Sequence, residues 1–446
     1  MTARALYIAL LGGLLCNSAC SERIEVLGPA RAPSSIDDAG GQPADDAGDA
    51  GEPPPVRDAG KDSGQDAGEQ PIPPEDECDG CGALELCAFD QCVATTGIHS
   101  LDAHLRHTCM VRDARAFCWG NNEHGQLGIG DQAERLSPAR IGTGNDWLQI
   151  TTGEEHTCGI RAPGALYCWG RNQAAQLGVG DTDPRSTPTQ IASELSWRSV
   201  ACGGDSCCAI DSNDQLYCWG DNAEGKLGQL DGPGAPDAAR PVRVDDTRWR
   251  RVDVGQGHVC AIREAGTLHC WARNTTDELG LGPSSPGQVR GPTQVGDASD
   301  WIDISGSQHS SCGVRANGTL FCWGLNSFFE VGSPNLEEGV ALPRQVGTDR
   351  DWVAVGAGWF HTCAQKSSGA LFCWGRAIEG QLGQGGGDPI EPPTKVLSAT
   401  FDRVALGNFH TCAATTEGAL QCWGANDDGQ LGAGDTERRY EPAVIP

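Results

Sequence analysis

Cysteine and histidine are the residues in this chain whose types and spacing could do chemistry. Fourteen of the 22 Cys fall into seven pairs: Cys109 with Cys118, Cys158 with Cys168, Cys208 with Cys218, Cys260 with Cys270, Cys312 with Cys322, Cys363 with Cys373, and Cys412 with Cys422. Partners are ten residues apart, or nine in the first pair. A His stands two residues before the first Cys at His107, His156, His258, His361 and His410, and His309 stands three before Cys312. Thiolates and imidazoles are metal ligands and nucleophiles. Here, however, each His belongs to a separate pair, so convergence on one ion is not expected. Recurrence at one repeat position is how a structural residue behaves. No paired carboxylates or nucleophile motif stand out from the repeats, and no catalytic residue, metal site or cofactor is assigned. Ser311 near His309, and the Asp residues of the Gly-x-Gly-Asp stretches, read as strand and turn chemistry. Sequons at Asn274 and Asn317 are read as chance matches.

The spacing of the Cys pairs follows from the elements that must hold them. Each second Cys precedes a Trp (Trp119, Trp169, Trp219, Trp271, Trp323, Trp374 and Trp423), at intervals of 49 to 52 residues. A near-constant period of that length means a solenoid or a propeller. The 62 Gly and 13 Trp fit many short strands joined by tight turns. In one unit, two apolar runs from His156 to Trp169 flank a turn at Gly164, as Gly266, Gly318, Gly369 and Gly418 do elsewhere. That is a β-hairpin whose turn needs a left-handed residue. A Gln-Leu-Gly-x-Gly-Asp turn follows, then a Pro-x-x-Ile/Val strand, then a Trp-x-x-Ile/Val strand. Four strands per unit make one blade. The expected fold is all-β, a seven-bladed β-propeller of four-stranded blades. The chain ends on a Pro-x-x-Ile strand at Glu441–Pro446 without a following Trp strand, so the segment Ile98–Leu101 is expected to complete the last blade and close the ring.

With a turn centred between them, the two Cys of a unit face each other across the hairpin, at a separation that permits a disulfide. One bridge per blade is expected; buried free thiols are the alternative. Cys202 and Cys207, present only in the third unit, would bridge locally, and a swap between Cys207 and Cys208 stays open. Twenty-two Cys without metal spacing in the repeats point to an oxidising compartment.

The stretches Gly120-Asn-Asn-Glu-His-Gly125-Gln-Leu-Gly128 and Gly424-Ala-Asn-Asp-Asp-Gly429-Gln-Leu-Gly432, with the recurring His-Thr-Cys and Cys-Trp-Gly, closely resemble the regulator-of-chromosome-condensation repeat. The resemblance covers about residues 98 to 446 and implies a seven-bladed propeller. It also brings the namesake's guanine-nucleotide exchange as one reading. Export and an acidic tail, where the namesake needs a basic one, argue against that reading. A propeller-type secreted β-lactamase inhibitory protein is similar in fold, which implies that such a ring can act as a protein inhibitor.

Four segments are expected along the chain. Residues 1–19 read as a signal peptide: Arg4, the apolar stretch Ala5–Leu15, then Ser18 and Ala19 before Cys20, similar to a bacterial lipobox. Asn17 departs from that pattern, and plain cleavage after Ala19 is the alternative. With Cys16 removed and Cys20 acylated, an even number of Cys remains, which favours the lipid. Residues 20–77, rich in Asp, Ala, Gly and Pro, read as a disordered linker spanning about 40 Å root-mean-square. Residues 78–97 carry Cys78, Cys81, Cys87 and Cys92, which suit two disulfides of unassigned connectivity or a zinc site. Residues 98–446 form the ring. A formal charge of −28 gives no footing for nucleic acid. The expected location is the bacterial cell envelope, at the outer membrane or cell surface, with the membrane touched through the lipid only and the protein a monomer.

Departures from the repeat indicate where a partner binds, because the consensus serves the fold. Trp359 and Phe360 precede His361 where the second unit has Glu154 and Glu155; Phe409 occupies the position of Phe360 in the seventh unit. Phe328 and Phe329 replace polar residues or Gly in the fifth. Clustered exposed aromatics are typical binding hot spots; extra core packing is the alternative. The expected function is an extracytoplasmic, lipid-anchored binding scaffold for a protein or an envelope glycan. A polysaccharide-acting enzyme would need a carboxylate pair converging on one face of the ring.

Overall fold

The computed structural model of the chain describes residues 85–88, 91–94 and 96–446, apart from 230–235, 336–338 and 397–398. The signal segment, Cys20, the linker 20–77, Cys78 and Cys81 lie outside the described residues. Strands β1 (Glu85–Ala88) and β2 (Gln91–Ala94) pair antiparallel, with Cys87 opposite Cys92 in register.

Seven antiparallel four-stranded sheets follow, each a meander in chain order. Blade 1 holds β3 (Ile98–Ala103), β4 (His107–Arg112), β5 (Arg115–Gly120) and β6 (Arg135–Arg140). Blade 2 holds β7 (Trp147–Thr152), β8 (His156–Arg161), β9 (Ala165–Gly170) and β10 (Arg185–Gln190). The pattern continues to blade 7, with β27 (Phe401–Leu406), β28 (His410–Thr415), β29 (Leu420–Gly424) and β30 (Arg439–Ile445). The hairpin turns take the left-handed conformation expected of them, for example at Gly266 (φ +84°), where the Gly266 N–H donates to the Arg263 carbonyl.

One expectation fails. Ile98–Leu101 does not complete the last blade; it is part of β3, the first strand of blade 1. The Trp strand belongs with the hairpin that follows it, not the one before. The packing shows why. Trp147 meets Tyr167 and Trp169 of its own blade at ring distances of 5.9 and 5.8 Å, and Trp197 meets Tyr217 and Trp219 likewise. Only residues 153–155 separate β7 from β8, so this strand pair closes locally, whereas residues 191–196 carry the chain across to blade 3. The ring therefore closes by packing between complete blades and exchanges no strand.

That packing has a repeated centre. In the blade 1 turn, the Gln126 carbonyl accepts from Thr157 Oγ1 (2.8 Å) and Trp169 Nε1 (2.9 Å) of blade 2, and Thr157 Oγ1 lies 3.0 Å from His107 Nε2 of blade 1. The same set joins blade 6 to blade 7 through Gln381, Thr411, Trp423 and His361. It also joins blade 7 to blade 1, closing the ring, through Gln430, Thr108, Trp119 and His410. Ser311 replaces Thr between blades 4 and 5. These Trp, His and hydroxyl side chains are buried.

The turn consensus follows from this centre. A Cβ on Gly128 would lie 2.5 Å from Trp169 Nε1, and Gly178, Gly280 and Gly432 are similarly pressed by the next Trp. Glycine is thus required for the indole to reach the carbonyl. Asn122 holds the turn by accepting from the Leu127 N–H and donating to the Asp131 and Ala133 carbonyls; Asn172 and Asn426 do the same in their blades.

Three interfaces depart from the rule, the first of them between blades 2 and 3, where Cys207 stands at the Thr position beside His156. Between blades 3 and 4, Ser206 stands at the His position and Val259 at the Thr position, leaving only Trp271 Nε1 on the Lys226 carbonyl. Here both members of the polar pair change together, so no buried His is left facing the apolar Val259. Between blades 5 and 6 the His is Ser310, while Thr362 and Trp374 still donate to Glu330.

Each hairpin also carries a disulfide at directly opposed positions, such as Cys158 opposite Cys168 with Cα atoms 4.1 Å apart. In blades 1 to 3 the bridges join Cys109 to Cys118, Cys158 to Cys168 and Cys208 to Cys218. In blades 4 to 7 they join Cys260 to Cys270, Cys312 to Cys322, Cys363 to Cys373 and Cys412 to Cys422. These fourteen Cys are buried in the sheets, bonded rather than free. A closed loop of this size contributes about 3 kcal/mol in the chain-entropy model. The surplus pair of blade 3 also bonds locally, Cys202 to Cys207, with Cys208 bonded to Cys218.

The coupled change to Ser206 and Val259 yields a test. Thr108→Val strands His410 Nε2 and lowers stability by about 1–3 kcal/mol, read as a lower melting temperature. Adding His410→Ser recreates the natural Ser and Val pair and recovers part of that loss. A double variant that sits at the sum of the two single losses would show the pair to be uncoupled.

Candidate functional site

The innermost strand of every blade leaves one edge unpaired, and seven such edges surround a central cavity of about 750 Å³. Exposed backbone donors and acceptors along those edges need partners. Side chains of one inner strand supply them to the next. The Ser100 hydroxyl accepts from the Ile150 N–H, Gln149 brackets Val200 with both of its amide atoms, and His99 Nε2 lies 3.1 Å from the Trp147 carbonyl. Asp102 accepts from the Thr152 N–H at 2.6 Å, Asp253 from the Gly306 N–H at 2.6 Å, and Asp303 from the Val355 N–H at 2.9 Å. Arg251 adds an ion pair to Asp303 at 2.5 Å.

Burial pushes Asp102 up to about 6 and Asp253 up to about 7, with Gly306 and Arg251 opposing the rise at Asp253. Raised carboxyls around a cavity are candidates for acid–base work. Each of these, however, is already committed to a backbone donor of its neighbour, so the channel lining is first a device that joins blades. The ring of His belongs to the same class. Burial holds His107, His156, His361 and His410 down to about 3 and His258 to about 4, so all are neutral at pH 7 and serve the blade interfaces.

A different surface forms at one mouth of this cavity, where loops between the first two strands of the blades meet turns that follow the third strands. Trp359 packs edge-on against Phe409 (5.4 Å between ring centres) and Phe360 (6.1 Å), and Phe360 packs against Phe328 (5.2 Å). His309 stacks on Phe360 at 6.4 Å. The Arg376 guanidinium lies 5.4 Å from the Phe328 ring and 5.3 Å from Phe409, and Glu379 holds it by two hydrogen bonds. The group therefore spans blades 5, 6 and 7. All four aromatics are half-buried, neither in a core nor fully in water. Trp359 lines the cavity mouth, and its buried Nε1 has no hydrogen-bond partner. Across the same mouth, blades 2 and 3 present acidic loops, with Glu155 and Asp205 flanking Arg171 at 3.0 and 3.7 Å.

Of the five aromatics singled out by sequence, Trp359, Phe360, Phe409 and Phe328 come together. Phe329 shares no ring contact with them. It occupies the turn position that Gly125, Gly225, Gly380 and Gly429 fill elsewhere, at φ +66°. A bulky side chain there is strained. Arg376 and His309 were missed as members of the cluster. Arg376 shares its repeat position with Arg171 and Arg273, so it is no departure from the pattern and sequence carries no signal for it.

Fold and site together define a disulfide-stapled propeller with one aromatic loop face. An RCC1-like domain model matches residues 196–446, and the regulator of chromosome condensation (RCC1) repeat matches residues 113–160 and 163–210. The chain belongs to the RCC1 repeat family. It is 28% identical over 290 residues to the ultraviolet-B receptor UVR8 of Arabidopsis thaliana, covering 64% of this chain and 53% of that one. It is 27% identical over 295 residues to the secretion-regulating guanine nucleotide exchange factor of Bos taurus, covering 61% of each. The match thus spans about half to three-fifths of these relatives' lengths. Among solved structures, human WBSCR16 superposes with a TM-score of 0.68 at 21% identity, covering 74% of this chain and 94% of that one. Prp20p of Saccharomyces cerevisiae superposes at 0.66 and 21%, covering 77% and 86%. These two likenesses show the fold.

The inner carboxylates give a pH-dependent prediction. The folded state holds Asp253 at about 7 against an ordinary 3.8, so the folded chain binds this proton more tightly than the unfolded one. Stability from this group is therefore greatest below the unfolded value and is lost as pH rises through about 7. Asp253→Asn keeps an oxygen for the Gly306 N–H without the charge. It should raise the melting temperature more at pH 8 than at pH 5. An equal gain at both would show that Asp253 ionises freely.

Proposed function

We propose that this chain is an extracytoplasmic, lipid-anchored scaffold that binds a protein through the aromatic loops of blades 5 to 7. The observation that carries the reading is the Trp359–Phe360–Phe409–Phe328 cluster. Trp359, Phe360 and Phe409 stand in loops where other blades carry Glu154, Glu155 and Asp205, Phe328 joins them from the turn after the third strand of blade 5, and Arg376 clamps the group. Aromatic side chains with an Arg over their faces, half-exposed around an unsatisfied indole N–H, have the composition of a binding hot spot. RCC1-like propellers bind proteins or act as exchange factors, and Prp20p is described with binding to Gsp1p and histones. A matched relative is named an exchange factor, which concerns that protein.

Eight buried disulfides among the described residues support an oxidising compartment. Cys20 after an apolar leader supports lipid anchoring, and the acidic linker would hold the ring away from the membrane. The channel carboxylates, bound to neighbouring backbone, support binding over catalysis.

The test is quantitative capture from envelope extract on immobilised wild type and on Trp359→Ala with Phe409→Ala. A true partner should fall at least about tenfold with the double variant while the melting temperature holds. A control at Glu155→Ala, on the acidic side of the mouth, should retain it. Equal recovery of every captured protein on all three surfaces would refute the aromatic contact.

A further inference from the structure

We propose that blades 2 and 3 share a thiol–disulfide exchange centre, made of Cys202, Cys207, Cys158 and Cys168 with His156. Its co-reactant is a small thiol or dithiol arriving through the central cavity.

The centre arises from one departure in the blade interface. The position that holds Thr108, Thr157, Ser311, Thr362 and Thr411 elsewhere holds Cys207 in blade 3. A sulfur thus takes the place of the hydroxyl between His and turn carbonyl. His156 Nε2 lies 3.0 Å from Cys207 Sγ, and the Gln176 carbonyl lies 3.9 Å from it. The hydroxyl of this position elsewhere also approaches the disulfide of the preceding blade, as Ser311 Oγ does at 4.0 Å from Cys260 Sγ. In blade 3 the result is a sulfur contact: Cys207 Sγ lies 3.7 Å from Cys158 Sγ. Among the described residues this is where the sulfurs of two different bridges touch.

The two ends of the Cys202–Cys207 bridge differ in access. Cys202 lines the central cavity and keeps 7% exposure, while Cys207 is fully buried. An incoming thiolate therefore reaches Cys202 Sγ. It forms a mixed disulfide there, the Cys202–Cys207 bond breaks, and Cys207 leaves as a thiolate. With its proton on Nε2, His156 donates to that thiolate; its Nδ1 has no other partner to dictate the opposite tautomer. This stabilises the leaving group. Cys207 then attacks Cys158 Sγ. The Cys158–Cys207 bond forms, the Cys158–Cys168 bond breaks, and Cys168 leaves as a thiolate and takes up a proton from water. This second step moves no net electrons. It converts a staple within blade 2 into a lock between blades 2 and 3. The incoming thiol stays on Cys202 as the mixed disulfide, or a dithiol resolves it and leaves oxidised, with Cys202 returned to a thiol.

The direct test is Cys202→Ser in the full chain, with non-reducing peptide mass mapping after alkylation of free thiols. The expected product carries a Cys158–Cys207 bridge and a single alkylated thiol at Cys168. A product with Cys158–Cys168 intact and Cys207 alkylated would overturn the proposal. Should that variant fail to fold, graded glutathione on wild type reads the same chemistry. Cys202 should be the first of the described cysteines to carry glutathione, followed by the appearance of the Cys158–Cys207 peptide. Opening of the other blade bridges before Cys202–Cys207, or absence of the Cys158–Cys207 peptide throughout, would overturn it equally.

Discussion

In this ring a backbone carbonyl in the turn after the third strand of each blade receives the indole N–H of the next blade's Trp, and in most interfaces a hydroxyl as well. A buried carbonyl left unpaired is expensive, and a buried indole N–H equally so. Satisfying both at one point fixes the separation and rotation of two blades at once. Much of the repeat answers to that point. The glycine after Gln-Leu admits the indole, the Asn sets the turn, and the His closes the hydroxyl from the other side. The disulfide beneath holds the hairpin that presents the Trp.

Because the set repeats at the 7–1 interface, the ring needs no strand exchange to close. The first and last blades meet at an interface as complete as those between blades consecutive in sequence. Residues that serve these contacts are not free for other work, which is why the His ring and the channel carboxylates, suggestive by type, read as joints. What remains available are the departures: the aromatics of blades 5 to 7, and Cys207 in blade 3. Each adds a chemistry that the repeat lacks, a sticky face in one case and an exchangeable sulfur in the other.

The period of the Cys-Trp pairs carried the blade count and the class of fold. It did not carry the phase. A cyclic repeat reads the same wherever a unit is cut, so sequence order groups the Trp strand with the preceding hairpin, whereas the contacts of Trp147 and Trp197 place it with the following one. The pairing of Cys118, Cys270, Cys322, Cys373 and Cys422 with the Cys nine or ten residues before each was legible because a hairpin is local. The aromatic cluster was legible because Trp359, Phe360, Phe409 and Phe328 break the pattern. Arg376, at a repeat position that other blades also fill with Arg, was not. Phe329 broke the pattern too, yet its ring lies apart from the cluster, since a turn position at positive φ aims its side chain differently from its neighbour's. The inner-edge role of Asp102, Asp253 and Asp303 depends on strands from neighbouring blades about fifty residues on, a relation that no local pattern expresses.

If the carbonyl-centred joint governs cohesion, the weakest interface is the one with the fewest of its bonds, between blades 3 and 4, and not the one lacking a covalent connection. Amide hydrogen–deuterium exchange resolved by peptide under native conditions compares them directly. The account predicts earliest exchange in the strand His258–Arg263 of blade 4 and its neighbours at that interface, with β4 and β28 at the ring closure as protected as the rest. Earliest exchange at the 7–1 interface, with blades 3 and 4 protected, would contradict it.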